Sequence, residues 1–333
     1  LLVTPNNGKI THGIIVVPDA DQTPEELIGI SGNLFPEKQT ARIYAEKGYQ
    51  VLILTIIDRN TKHKKISNRE FLYRSAFELG RHIIGYAVQK ILAGVDWFTA
   101  QGLQNIAVSG WGEGGLLAFY SGAIDTRIDQ TFVSGYFGSR LNIWQEPAYR
   151  NVFGLLEQFG DAEIASMIAP RELIVSSEND APVVIIPEGT ESKPGRLKAL
   201  ETEAVEKEIK RLNSMMSALK WEVIIRKPEK PNLLKIEKFD LPDAKSRHDR
   251  LMTELDMHNQ WLLHESPYVR KAFMSELDTE TLESFEKSMQ SYRTYFEQEV
   301  IGKFDYPLLP PNARSRKIDI GNDQVTAYEV VLD

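Results

Sequence analysis

The chain has 333 residues, 42% hydrophobic and 26% charged, with a net charge of −8 and no cysteine. That is the composition of a globular protein with enough apolar material for a large core. It excludes disulfides, thiolate nucleophiles and zinc–thiolate sites, and its negative charge disfavours a nucleic-acid partner. No apolar run reaches the ~18 residues of a membrane helix, and no signal peptide opens the chain.

His12–Val17 reads as a buried strand that ends at Pro18-Asp19-Ala20-Asp21. Pro36–Lys47 reads as a helix closed by Gly48, and Gln50–Ile57 as a second buried strand. Asn68–Ala100 is a helical stretch with a break near Gly80 or Gly85. Asn105–Ser109 is a third strand, an elbow helix runs from the glycines to about Ala123, and Gln130–Gly135 is the next strand. Residues 136–170, rich in aromatic and turn residues, read as a lid-like insertion. Its rings (Tyr136, Phe137, Trp144, Tyr149, Phe153, Phe159) are expected to pack over the sheet rather than stack on sugars.

Glu172–Ser176 and Trp221–Arg226 are further strands, and Arg196–Leu219 is an amphipathic helix between them. Strands alternating with helices predict an α/β fold, a mainly parallel sheet covered on both faces. Beyond it, Asp243–Leu263 and Asp278–Val300 read as helices. Lys317–Ile320 and Thr326–Leu332 form a terminal hairpin across Gly321-Asn322-Asp323. The expected organisation is a main domain over 1–265, a helical linker over 266–312 and the hairpin over 313–333. The first and last residues both read as strand, as in a piece of a longer chain.

The chemistry centres on Val108–Gly115, VSGWGEGG. A strand, a glycine-framed turn and a helix are the setting of a nucleophile elbow, G-x-S-x-G, which holds a serine in a strained conformation at a sharp turn. Here Gly112 stands at the central position and offers nothing to attack a carbonyl. A serine there is expected to be tolerated at a strain of ~1–3 kcal/mol. A dinucleotide loop fits worse, because G-x-G-x-x-G needs another glycine spacing.

The residues that would complete an acyl-transfer site follow from chain order. The acid belongs after Glu172–Ser176, where Glu178 and Asp180 are the candidates. The base belongs after the last strand, where His248 and His258 are the candidates. Leu251, Leu255, His258 and Leu262 share a helical face, so His258 is expected to point inward and His248 to be exposed. A core histidine is an equally good reading of His258. An oxyanion hole would use the backbone N–H of Glu113 and the loop holding Asp19 and Ala20. The carboxylates of Asp19 and Asp21 oppose a developing oxyanion there. Nothing in the pattern calls for a metal or cofactor.

Several stretches carry a resemblance: Val17–Pro24, Phe77–Tyr86, Val88–Phe98, Ser134–Gly138, Trp144–Pro147 and Phe159–Arg171. In them the chain resembles the acetyl-xylan-esterase and dienelactone-hydrolase-like branch of the α/β-hydrolase superfamily. More narrowly, it resembles the first domain of bacterial proteins with two successive hydrolase-type domains. The resemblance implies an α/β-hydrolase fold, a carbohydrate or ester ligand, a second hydrolase domain in the same full-length chain and an extracytoplasmic setting. Active members place serine where Gly112 stands, so the first reading is a degenerate, non-catalytic domain. The alternative is an active carboxylic ester hydrolase whose serine was replaced by engineering or whose route is unusual.

Overall fold

The computed structural model describes residues 1–333 except 7–9, 64, 177–183, 186–194, 199, 227–230, 235, 237–242, 304–306, 308–309, 311, 322–323 and 333. Contacts divide the chain into two units, Leu1–Ser266 and Pro267–Asp333.

The first unit is built on a seven-stranded sheet. Its strands are β1 (Leu2–Val3), β2 (His12–Val17), β3 (Gln50–Ile53), β4 (Asn105–Trp111), β5 (Ile128–Ser134), β6 (Glu172–Ser176) and β7 (Ile224–Arg226). They lie in the order β1-β3-β2-β4-β5-β6-β7. Only β1 pairs antiparallel; every other neighbour pair is parallel. The inner strands are continuous apolar runs because both faces are covered. The chain leaves β2 for β3 on one side, then crosses to β4 on the other, which makes β2/β4 the point where strand order reverses. In open α/β sheets, the crevice beyond the carboxyl ends at that point is where ligands bind.

The principal helices of this unit are α1 (Thr40–Glu46), α2 (Asn68–Phe77), α3 (Ile83–Ala100), α4 (Glu113–Ile124), α5 (Asp161–Ser166), α6 (Thr202–Met215) and α7 (Ala244–Phe273), the last turns of α7 belonging to the second unit. One sheet face presents Ile15, Val108, Val133 and Val175 to Val88, Ile91 and Val95 of α3 and Leu116 and Leu117 of α4. The other presents Ile14, Val16, Ala107, Phe132 and Ile174 to Leu27 of a one-turn helix and Ala41 of α1. The break between α2 and α3 falls at Gly80 (φ 71°), while Gly85 lies inside α3. His82 caps α3 by accepting the Ile84 N–H at 3.0 Å.

Several boundaries differ from the sequence reading: the last strand is cut to Ile224–Arg226, the helix read over Asp243–Leu263 runs on to Phe273, and that read over Asp278–Val300 is Leu282–Tyr295. The strand expected over Gln50–Ile57 ends at Ile53, because Leu54, Ile56 and Ile57 leave the sheet to fill the core beneath α2 and α3. The helix expected over Arg196–Leu219 shortens to Thr202–Met215, preceded by the extended pair Arg196–Leu197. The helix begun at Pro36 is a 3-10 turn, Pro36–Lys38, before α1.

The second unit holds α8 (Leu282–Tyr295) and an antiparallel hairpin of β8 (Arg314–Ile318) and β9 (Ala327–Val331). Phe273 packs its ring against Tyr292 and Tyr295, at 5.2 and 5.4 Å between centroids. Among the described residues no helix is long and apolar enough to cross a membrane.

Candidate active site

The glycine frame closes the turn between β4 and α4. A Cβ on Gly110 would stand 2.0 Å from the Gly114 carbonyl oxygen, and one on Gly114 would stand 2.1 Å from that of Val17. Backbone cannot yield to such contacts, so these positions admit glycine alone. Gly112 sits at the apex with φ 60° and ψ −115°, a conformation that strains any side-chain-bearing residue. Its N–H donates to the Ser134 carbonyl at 2.9 Å, which pins the apex to the end of β5. A mainly parallel sheet with a strained apex between a central strand and the helix behind it decides the architecture. This is the α/β-hydrolase fold.

Solved structures similar to the chain include a provisionally assigned acetyl xylan esterase from Bacteroides fragilis, at 14% identity over 75% of this chain and 68% of that one, TM-score 0.49. A glucuronoyl esterase from Solibacter usitatus matches at 10% identity over 78% and 76%, TM-score 0.41. An acylaminoacyl peptidase from Pyrococcus horikoshii matches at 14% identity over 69% and 34%, TM-score 0.42. No family model matches the chain, and no curated protein matches its sequence. At such TM-scores the likenesses say nothing about chemistry, and the fold stands on strand order and elbow geometry.

In a working hydrolase the amide following the nucleophile donates to the oxyanion. Here the Glu113 N–H donates to Asp19 Oδ1 at 2.8 Å. A carboxylate from the loop after β2 therefore accepts from the amide that follows the apex. Asp19 is 6% exposed and is held there by Arg59, whose Nη1 and Nη2 reach its oxygens at 2.9 and 3.3 Å. Ala20, also 2% exposed, packs into the core beside it. Asp21 turns outward and pairs with Arg59 at 2.8 Å.

The Glu113 side chain runs beneath this contact and is fully buried. Arg69 Nη2 reaches it at 2.5 Å, Arg150 Nη2 at 2.8 Å and Arg59 Nη2 at 3.6 Å. Burial, the largest single influence, pushes this carboxyl up, but the three guanidinium groups outweigh it and bring its pKa down to about 2. For Arg59 and Arg150 burial opposes the charge, and the facing carboxylates raise their pKa values nonetheless. Arg150 continues to Glu146 at 3.2 Å, and Glu146 to Arg140 at 2.9 Å. Tyr149, fully buried, lies under Arg69 at 4.6 Å and accepts a 3.4 Å hydrogen bond from Arg59 Nε. The carboxylates of Asp19, Asp21, Glu113 and Glu146 thus balance Arg59, Arg69, Arg140 and Arg150 at the β2/β4 crevice.

Residues 136–170 fold down onto this network. Tyr136, Phe137 and Tyr149 are buried, as the packing expectation requires, while Trp144, Phe153 and Phe159 are exposed. Glu178 and Asp180 lie outside the described residues.

The two histidines are disposed differently from the sequence reading. His258 is half-buried, its ring 5.6 Å from Tyr86 and 5.8 Å from Trp261 between centroids. The inward face of α7 instead centres on Met252 and Asn259, and Asn259 accepts from Tyr86 Oη at 2.6 Å. The leucine-and-histidine stripe lies to one side of it. His248 is not exposed: its side chain keeps 13% of its surface, and Nε2 lies 3.3 Å from Asp58 Oδ1. Asp58 also accepts from Asn68 Nδ2 at 2.6 Å. Burial pushes the Asp58 pKa up, but these hydrogen bonds and His248 carry it below the ordinary range.

Sequence reasoning passed over Arg59, Arg69, Arg150 and Asp58. Arg59 and Asp58 did carry a signal, being charged residues directly after the apolar run that ends at Ile57. Arg69 and Arg150 carried none.

Proposed function

We propose that this chain is a non-catalytic α/β-hydrolase domain of a carbohydrate-esterase-like protein. The carrying observation is the 2.8 Å hydrogen bond from the Glu113 amide to Asp19 Oδ1, the chain's own carboxylate occupying the place of an oxyanion. Gly112 supports the same reading independently, since it supplies no hydroxyl. Loss of the triad serine lowers turnover on the order of a million-fold, and the residual catalysis otherwise available comes from the oxyanion hole and binding. Here the amide that would provide that residue is already engaged. On this reading the domain supports or positions a neighbouring hydrolase domain in the full-length bacterial protein, with a carbohydrate or ester ligand held rather than turned over.

The test is hydrolysis of p-nitrophenyl acetate by the purified chain. The expected rate equals that of a matched non-enzymatic protein. Turnover above that level, abolished by His248→Ala, would establish instead that a hydrolytic centre works through the His248–Asp58 pair. That pair is the one observation favouring the active alternative.

A further inference from the structure

The sheet face opposite α4 carries a second feature at its carboxyl edge. In-register pairing aligns Trp111, Ser134, Ser176 and Arg226 across β4, β5, β6 and β7. Register-matched residues of parallel strands point to the same side, so the four form one row. Two residues back along each strand, Ser109, Phe132 and Ile174 form a second row on that same face. Together with Tyr44 of α1 and Leu233, these rows bound a cavity of about 480 Å³. That lies within the range of ~300–1,000 Å³ typical of small-molecule sites, which are apolar with a few convergent polar groups.

The chemistry of the walls is directional. The floor is Phe132 and Ile174, with the Tyr44 ring 5.5 Å from that of Phe132. Tyr44 gives its hydroxyl proton inward to Ser109 Oγ at 3.3 Å, and burial pushes its pKa up to about 12, so it stays neutral. At the rim the Arg226 guanidinium lies 5.6 Å over the Phe132 ring and has no carboxylate partner among the described residues. Lys38 lies 5.1 Å over Trp111. The hydroxyls of Ser134 and Ser176 line the same edge beside Arg226. Of the acids on the rim, Glu46 is engaged by Arg42 at 2.8 Å, and Glu37 stands beside Lys38. Among the described lining residues, Lys38, Lys47 and Arg226 outnumber Glu37 and Glu46 over an aromatic floor.

We propose that this cavity binds a small aromatic carboxylate. The ring lies on Phe132 and Ile174, and the carboxylate meets Arg226 with the hydroxyls of Ser134 and Ser176. An uncharged aromatic would use the floor and leave the guanidinium unanswered; an aliphatic anion would do the reverse. The site lies on the sheet face away from α4 and does not depend on whether the elbow is catalytic.

The experiment titrates the full chain with 2-naphthoate and its neutral isostere 2-naphthamide, by calorimetry and ligand-observed NMR. A charge-assisted hydrogen bond to guanidinium corresponds to a preference of about 10-fold or more for the acid. Arg226→Gln, at an exposed position, is expected to remove that preference while changing the affinity for 2-naphthamide less than about 2-fold. The unfolding midpoint of the variant should match the parent, which separates a lost contact from a lost fold. Equal affinity for acid and amide overturns the proposal, as does no binding of either. A preference for the acid that survives Arg226→Gln also overturns it, because the anion is then held elsewhere.

Discussion

Placing serine at position 112 is the most direct perturbation of the elbow, and the structure makes its cost calculable. The new Cβ would stand 2.6 Å from Asp19 Oδ1 and 3.1 Å from its Cγ. Asp19 Oδ1 must shift, and because Arg59 holds that carboxylate at 2.9 and 3.3 Å, the shift is expected to draw it off the Glu113 amide. A charge-assisted hydrogen bond given up there is worth ~1.5–3 kcal/mol. The positive φ of the apex adds ~1–3 kcal/mol for any residue other than glycine. Gly112→Ser is therefore expected to destabilise the domain by ~3–6 kcal/mol, against the ~5–15 kcal/mol by which folded domains exceed their unfolded states. The sequence alone suggested only the strain, because the collision with Asp19 belongs to the fold. The assay is urea unfolding followed by circular dichroism, on Gly112→Ser, Asp19→Ala and the double variant. Removing the Asp19 carboxylate clears the space, so the double variant should recover ~1–3 kcal/mol relative to the sum of the single effects. A Gly112→Ser variant within about 1 kcal/mol of the parent would refute the reasoning, as would strict additivity. A fluorophosphonate probe should leave the folded double variant unlabelled.

Other outcomes follow from the same network and frame. Glu113→Gln leaves Arg69 buried without its counter-charge and Arg150 with Glu146 alone, and should cost ~3–5 kcal/mol, whereas Lys245→Ala, at an exposed pair, should cost under ~1 kcal/mol; comparable losses in urea midpoint would contradict this. Gly114→Ala should fail to give folded protein, since its obstacle is the Val17 carbonyl, while Gly102→Ala, with open space at φ 80°, should fold at a cost of ~1–3 kcal/mol, as thermal melts would reveal. Glu113, with its pKa lowered to about 2, contributes stability above its unfolded value that is lost as pH falls toward 2. Asp161 has the opposite sign: burial raises its pKa to about 7, so its contribution is complete below its unfolded value and is lost as pH rises through 7. Asp161→Asn should therefore flatten the decline in melting temperature between pH 4 and 7; an unchanged profile would exclude Asp161 as its source.

The sheet was legible because its inner strands are uninterrupted apolar runs and each is followed by a helix or turn signal. Strand ends were less so. Leu54–Ile57 continues the apolar pattern of β3, yet these residues are buried in the core rather than in the sheet, and hydrophobicity cannot tell one burial from the other. The elbow was legible because backbone packed within about 2 Å of a Cβ position leaves a glycine signature in the chain. The arginine network was not. Arg59, Arg69 and Arg150 belong to three separate segments and follow no period, so only tertiary contact reveals that they share Glu113. On α7 the periodicity was read correctly but the face was displaced, because a polar residue, Asn259, occupies the most buried position by bonding Tyr86 and Ser75.

The Asp19–Glu113 contact has a consequence for any molecule that approaches the elbow. A tethered carboxylate acts as an internal competitor whose effective concentration is set by its short loop, on the order of millimolar even for flexible linkers. Asp19 is further pre-organised by Arg59, which raises that figure. On the proposed reading, a substrate acyl oxygen arriving from solution meets a hole already saturated, and must outcompete a rival that never diffuses away. Ligands that need no anion hole face no such rival, so on that same proposal the contact disfavours acyl transfer and leaves the surrounding surface open to binding.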